Sequence, residues 1–153
     1  HLDTAYGLGA PPVVWGSQDT LESLKVDVFN DRLFPDFVKL STFMPPFLLL
    51  AEVNAAAPFR AGKYHVTPLE LDHAVPTLGY LIDDGKTVLA VVTDTQPVPE
   101  VYERVAATPR LGAVLLEASF PRSETRLAQV SKHLTPPQFA EAVRSLPAGV
   151  PVY

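Results

Sequence analysis

The prolines of this chain constrain its fold more than any other feature. Sixteen of its 153 residues are proline, roughly twice the ordinary share, and they are scattered along the chain without a repeat. Proline fixes φ and lacks a backbone N–H, so it belongs in turns and at the ends of helices and strands. The sequence therefore predicts many short elements joined by stiff turns, and it excludes collagen-like and low-complexity architectures.

Composition narrows the class of protein and its partners. Hydrophobic residues make up 47% and charged residues 19% of the chain, which suffices for the core of a single domain of this length. The net charge is −5 without a basic run, so no nucleic-acid partner is expected. Because cysteine is absent, any metal must be bound through histidine, aspartate or glutamate. The apolar stretch 43–53 is interrupted and too short for a membrane helix, so no membrane partner is expected.

The spacing of apolar residues predicts strands in the first half of the chain and alternating helices and strands in the second. A helix is expected at residues 21–30, with Asp19 and Thr20 at its N-cap. The turn at residues 83–85 predicts a hairpin between the strands on either side. Further helices are expected at residues 99–108, 124–132 and 136–145, the last with Thr135 as N-cap, and strands at residues 13–15, 47–53, 64–71, 78–82, 87–92, 113–117 and 150–153. This order predicts one layered α/β domain.

Three polar residues follow predicted strands, where a rigid scaffold presents ligands. Asp94 and Glu117 come at the ends of apolar strands, and His73 lies in a turn stiffened by Pro76. A buried carboxylate must be hydrogen-bonded, paired or bound to a metal. For Asp94 the alternative is a cap for the turn that leads to Pro99.

The remaining histidines differ in their context. His133 lies between two predicted helices, where a strand-end carboxylate such as Glu117 could orient its ring as a general acid. His65, inside a strand of alternating exposure, is expected to be an ordinary surface or hydrogen-bonded residue. His1 and Asp3 are two residues apart, a spacing that lets both converge on metal ions. The alternative is that His1 is a remnant of a tag or of cleavage.

Six motifs in this order resemble the metallo-β-lactamase superfamily and, within it, the class II cyclic-nucleotide phosphodiesterases. Residues 1–8 (HLDTAYGL) resemble the tail of the metal loop H-x-H-L-D-H-x-x-G-L, and VFN with FPDF in residues 28–37 resembles "hifN…iwPdF". The other four are HAVPTLGYLI at 73–82, similar to "Hsvpstgyli", TDT at 93–95, similar to "gDT", LEASFP at 116–121, similar to "iEtSFp", and HLTP at 133–136. The last two motifs favour the phosphodiesterases over the β-lactamases themselves.

The resemblance implies an α/β fold, the αββα sandwich of the metallo-β-lactamases, with a site for two zinc ions or, alternatively, manganese or iron. His1 and His73 would bind the first metal and Asp3 the second. Asp94 would bridge the two. All four side chains offer nitrogen or oxygen ligands, as a chain without cysteine requires.

The reaction that the resemblance implies is hydrolysis of the 3′,5′-cyclic phosphodiester of cAMP or cGMP to the 5′-monophosphate by a metal-activated hydroxide. His133, oriented by Glu117, would protonate the leaving 3′ oxygen. These two residues and Asp3 are the expected catalytic residues. The expected partner is a small cyclic nucleotide. A homodimer is left open, as is the choice between cytoplasm and periplasm, with the cytoplasm favoured.

The chain departs from the family's pattern at its ends. Thr4 stands where the family has a histidine for the second metal, and two further metal histidines would precede residue 1 and follow Tyr153. Residues 1–153 are thus expected to form one domain of this fold that lacks parts of its N- and C-terminal elements, and alone they would not complete a dinuclear site. The alternatives are a tRNA 3′-processing ribonuclease, which would need a basic surface, another hydrolase of the metallo-β-lactamase fold, and a degenerate member that serves as a binding module.

Overall fold

A computed structural model describes residue 9, residues 11–43 and residues 45–153. The chain divides into two compact units, one within residues 1–54 and one formed by residues 55–153. Within the described residues, no helix has the length and apolar character needed to cross a membrane.

The first unit contains a small parallel sheet and two short helices. Strand β1 (Val13–Gly16) pairs with β2 (Leu49–Glu52), and the helices are α1 (Gln18–Ser23) and α2 (Phe37–Leu40). After α1 the chain continues as a π-helical turn, Leu24–Val28. The strands predicted at 13–15 and 47–53 are confirmed, the second with shorter bounds.

The predicted N-cap of the first helix is wrong by two residues. The cap is Ser17, whose side chain accepts a hydrogen bond from the Thr20 backbone N–H at 3.2 Å. Asp19 and Thr20 are inside the first turn of the helix instead. A serine hydroxyl satisfies a free N–H as well as an aspartate does, so the capping residue could not be chosen from residue type alone.

The second unit is built on a five-stranded sheet with the strand order β3-β4-β5-β6-β7. The strands are β3 (Phe59–Ala61), β4 (Tyr64–Leu71), β5 (Thr77–Asp83), β6 (Val88–Val92) and β7 (Leu111–Leu116). Neighbours are antiparallel except β6 and β7, which are parallel. Strands β4, β6 and β7 therefore run in the same direction, and their carboxyl ends meet at one edge of the sheet.

The predicted hairpin is confirmed, with β5 and β6 joined by a turn at residues 84–87. One carboxylate oxygen of Asp84 accepts the backbone N–H groups of Lys86 and Thr87, each at 2.8 Å. Strand β4 has the predicted bounds. The three-residue strand β3 was not predicted, because so short a segment has too little alternation to stand out from a turn.

Three helices complete the second unit: α3 (Pro99–Ala106), α4 (Thr125–Ser131) and α5 (Pro136–Ser145). Helix α3 connects the parallel strands β6 and β7, and a 3₁₀ turn, Arg122–Glu124, precedes α4. Thr135 caps α5 in a capping box with Gln138, and prolines begin the helix, as predicted. The most deeply buried core side chains, each at most 1% exposed, are Leu69, Ala90, Val92, Val105, Val114 and Leu134.

The strand predicted at residues 150–153 is present only as a single bridge between Val152 and Val114. The Val114 N–H donates to the Pro151 carbonyl, and the Tyr153 N–H donates to the Val114 carbonyl, both at 3.0 Å. The segment thus runs beside β7 in parallel. The mixed α/β class predicted from the sequence is confirmed.

Candidate metal centre

Four segments bring polar side chains to the edge where β4, β6 and β7 end. Asp72 and His73 follow β4, residues 94–96 follow β6, and Glu117 follows β7. The fourth segment is the turn between α4 and α5, which carries His133. The parallel direction of the three strands explains why residues so distant in sequence meet at one edge.

Glu117 and His133 form the central pair of this cluster. The Nδ1 of His133 lies 2.8 Å from Oε1 of Glu117, and the Glu117 side chain is only 8% exposed. The same carboxylate accepts the Thr95 backbone N–H at 2.9 Å and the hydroxyl of Ser119. Three donors therefore satisfy a buried carboxylate that would otherwise be costly. The structure brings together the two residues that the sequence paired.

Asp94 lies beside this pair but in solvent. Its Oδ1 is 3.9 Å from Nδ1 of His133, and its side chain is 59% exposed. Within the described residues its carboxylate has no hydrogen bond, and the N-cap position of α3 is occupied by Val98. Burial therefore does not constrain Asp94, and within the described residues no hydrogen bond of its carboxylate supports the alternative of a cap for the turn that leads to Pro99. Its backbone is left-handed, with φ 58°, a conformation that aspartate tolerates better than most residues.

His73 stacks edge-on against His133, with 4.7 Å between the ring centroids. Its Nδ1 lies 3.3 Å from the backbone carbonyl of Lys132. Because a carbonyl only accepts hydrogen bonds, Nδ1 carries the proton and Nε2 keeps a lone pair. A metal-binding histidine is usually held in this way.

The other predicted site residues are not at this edge or are not described. His65 lies in β4 near the opposite edge of the sheet, where its Nε2 contacts Arg60 at 2.7 Å, in agreement with its expected ordinary role. His1, Asp3 and Thr4 fall outside the described residues. Their assignment as metal ligands, or as the position of a missing one, stays a prediction.

The donor set suits a divalent metal. Asp94, Glu117 and His133 offer ligand atoms that lie within 4.8 Å of one another, and His73 adds an imidazole nitrogen. Nitrogen and oxygen donors of this kind bind zinc, manganese and iron. Glu117 is engaged by three hydrogen-bond donors, whereas the Asp94 carboxylate is exposed and has no hydrogen bond within the described residues. The donor set of Asp94, Glu117 and His133 therefore fits a metal ion, and His73 as a further ligand stays a prediction.

Thr95 holds the cluster together and was not predicted. It is 1% exposed, and its backbone N–H donates to Glu117. Its hydroxyl accepts the Asp72 backbone N–H at 3.2 Å and donates to the Gln96 carbonyl at 2.8 Å. The sequence contains Thr95 as the last residue of the motif TDT at 93–95, but a polar residue directly after Asp94 is equally typical of an exposed turn.

Tyr102 of α3 is close enough to Glu117 for the charge of that carboxylate to act on it. Its hydroxyl is buried and has no hydrogen-bond partner among the described residues. Burial, and after it the negative charge of Glu117, raises the pKa of Tyr102 to about 12. The nearby Val98 backbone lowers this pKa and offsets part of the rise. Helical spacing predicts the buried face of α3 but cannot show that a tyrosine there lies near Glu117.

Solved structures of metallo-β-lactamase-fold proteins match this chain over most of its length. The fold protein YhfI from Bacillus subtilis is 14% identical over 92% of this chain and 50% of its own, with a TM-score of 0.67. Unliganded yeast PDE1 is 22% identical over 87% of this chain and 42% of its own, with a TM-score of 0.70. The short form of human tRNase Z is 12% identical over 89% of this chain and 56% of its own, with a TM-score of 0.58.

These likenesses establish the fold. The chain has the metallo-β-lactamase fold, as its motifs predict, and it spans about half the length of the solved structures that it matches. The sequence matches no protein-family model and no curated protein.

Proposed function

We propose that this chain carries the acid–base pair and part of the metal site of a hydrolase that opens 3′,5′-cyclic nucleotides to 5′-monophosphates. The observation that carries the proposal is the buried Glu117 holding His133 beside the exposed Asp94. Yeast PDE1 shares the fold, and the resemblance of the motifs to class II cyclic-nucleotide phosphodiesterases supports the choice of substrate. The likeness of folds alone does not identify the activity, because one fold hosts many activities. The proposal therefore rests on the side chains of the site.

The metal ligands of the proposal are His73 and Asp94 together with His1 and Asp3. His1 and His73 would hold one ion and Asp3 the other, with Asp94 between them. Two zinc ions are proposed, and manganese or iron are the alternatives. When bound, the metals would stabilise charge on the phosphoryl group and activate the water that attacks it.

His133 is the proposed general acid. Its Nδ1 is held by Glu117 at 2.8 Å, so Nε2 is the nitrogen that exchanges a proton with the substrate. Water adds to phosphorus, the bond from phosphorus to the 3′ oxygen breaks, and His133 protonates that oxygen as it leaves. The water loses a proton to solvent, and solvent reprotonates His133 for the next turnover.

Glu117 is proposed to orient the ring of His133. Since Thr95 and Ser119 also donate to this carboxylate, it cannot turn away from His133 without losing two further hydrogen bonds. A fixed ring keeps the acid aimed at one position, which is how a positioned side chain contributes to general acid catalysis.

The net charge of −5 favours a small substrate over tRNA, because a protein that grips a polyanion needs clustered cations. Human tRNase Z shares the fold, so the ribonuclease remains the enzyme to test against. A binding module without catalysis is the other alternative. A homodimer also stays a prediction.

The test is an assay of the purified full-length protein with zinc against cAMP, cGMP and a tRNA precursor. We expect the 5′-monophosphate from a cyclic nucleotide, loss of activity with a chelator and recovery with zinc. Cleavage of the tRNA precursor in preference to either cyclic nucleotide would establish the ribonuclease instead. Protein that binds zinc or a cyclic nucleotide but hydrolyses nothing would establish the binding module.

A further inference from the structure

A second polar cluster lies beside the candidate metal centre and has no part in the proposed reaction. Its centre is the carboxylate of Asp72. One oxygen accepts from Nζ of Lys132 at 2.5 Å, and the other accepts from the side-chain amide of Gln96. These three residues, here named the Asp72 bracket, come from the segments after β4 and β6 and from the turn between α4 and α5.

The residues of the Asp72 bracket are neighbours in sequence of the residues of the candidate site. Asp72 directly precedes His73, and Lys132 directly precedes His133. Gln96 follows Asp94 by two residues. Each member of the bracket is thus next to, or near, one of the side chains that the proposed reaction uses. A contact within the bracket fixes how far apart those segments lie.

Backbone contacts reinforce the same connections. The Lys132 carbonyl accepts from Nδ1 of His73 at 3.3 Å, and the Gln96 N–H donates to the Asp72 carbonyl at 3.0 Å. Lys132 itself is in the left-handed conformation at φ 59°, at the end of α4. Its ammonium therefore reaches Asp72 while its carbonyl meets His73.

The Asp72–Lys132 pair is expected to contribute little to the stability of the fold. The two side chains are 41% and 38% exposed, and exposed pairs contribute little to the free energy of unfolding. A charged, exposed pair that joins segments 60 residues apart is suited to positioning.

We infer that Lys132, Asp72 and Gln96 are positioning residues that set the distance between His73 and His133. The inference rests on the proposed function for its catalytic consequence only. Without the bracket, the turn between α4 and α5 loses its side-chain ion pair with the segment after β4 and, within the described residues, keeps only the contact of the Lys132 carbonyl with His73 as a direct hydrogen-bonded link to that segment. The metal ligand and the general acid then lose their fixed separation.

The test compares Lys132→Met with a matched control at the other end of the sheet. There Arg110 forms a similar exposed pair with Asp83, with contacts of 2.8 and 3.0 Å, and Arg110 is also left-handed, at φ 61°. Lys132→Met removes the ammonium and keeps the aliphatic stem. Lys132→Arg restores the charge, and Arg110→Met removes a pair that lies far from His73.

The first readout needs neither metal nor substrate. Ring protons of His73 and His133 should show a nuclear Overhauser contact in the wild type and in Arg110→Met, and Lys132→Met should lose it. The second readout is zinc affinity by chelator competition, which should fall about 10–100-fold in Lys132→Met alone. The third is kcat at saturating zinc, which should fall in Lys132→Met with KM unchanged and recover in Lys132→Arg.

Failure of the proposed function and failure of the positioning role of the Asp72 bracket give different results. If Lys132→Met keeps the ring contact, the zinc affinity and the kcat of the wild type, the bracket does not position the site. Equal losses in Arg110→Met would also overturn the inference. If the wild type does not hydrolyse cyclic nucleotides while the ring contact still depends on Lys132, the proposed function fails and the bracket stands.

Discussion

Each end of the five-stranded sheet has an exposed ion pair between an aspartate and a basic residue, but the contacts around the two pairs differ. At the site end, Asp72 pairs with Lys132, and at the hairpin end Asp83 pairs with Arg110. Both cations have left-handed backbones. At the hairpin end, the aspartates also bind the turn next to them, since Asp83 accepts the Gly85 N–H at 2.7 Å.

The difference lies in the share of local contacts, because the Asp83–Arg110 pair itself joins residues 27 positions apart. At the hairpin end, Asp83 and Asp84 also accept from backbone groups two or three residues away. At the site end, three contacts that assemble the site join residues 16 to 60 positions apart. Local contacts define a turn, whereas distant contacts assemble a site from separate segments.

Asp94→Ala should abolish hydrolysis, because it removes the accessible carboxylate proposed to bind both metals. Zinc content, measured by elemental analysis, should fall together with activity. Asp94→Asn is the matched control for the backbone, since asparagine tolerates the left-handed conformation while lacking the charge. Full zinc content with wild-type turnover in both variants would remove Asp94 from the metal site.

His133→Ala should lower kcat by about 10²–10⁴-fold, the usual contribution of a general acid, and should retain its metal. Steady-state kinetics and metal analysis on the same preparation check both statements. Because His133 also lies within ligand distance of Asp94 and Glu117, loss of zinc in this variant would make it a ligand instead.

Gly112→Ala, near the hairpin end, should lower stability and leave kcat unchanged. A Cβ at this position would overlap Cγ2 of Thr87, and such overpacking costs about 1–3 kcal/mol. Thr87→Ser removes that carbon, so Gly112→Ala should cost much less in the Thr87→Ser background. Denaturant unfolding of the wild type, the two single variants and the double variant measures the coupling between Gly112 and Thr87. Additive effects would show that Thr87 is not the obstacle.

Asp83→Asn should have the smallest effect on the free energy of unfolding. The effect should be present only above acidic pH. The hydrogen bond from Arg110, and after it the Gly85 N–H, lowers the pKa of Asp83 from the ordinary 3.8. A lowered pKa means that the stabilisation is present above the unfolded value and is lost as the pH falls through the folded one. The difference in unfolding free energy between wild type and variant should therefore shrink below pH 3.8. A constant difference across the acid range would contradict this.

Much of the fold could be predicted because its signals are local. The bounds of β4, the turn at residues 84–87 and the capped start of α5 each depend on a few neighbouring residues. The two catalytic candidates were also found locally, since Glu117 ends a strand and His133 lies between helices. Ser17 and β3 were missed because their neighbours offered competing or insufficient signals.

The chemical groups available to this protein follow from its sequence: carboxylates and imidazoles without thiols, placed at the ends of strands and in one turn between helices. How these groups are used depends on the tertiary structure. It buries Glu117, leaves Asp94 in solvent, hydrogen-bonds the Thr95 N–H to Glu117 and joins Asp72 to Lys132. The physical reason is that exposure and hydrogen bonding depend on which segments pack together, and those segments are too far apart in the chain for any local pattern to specify their contacts.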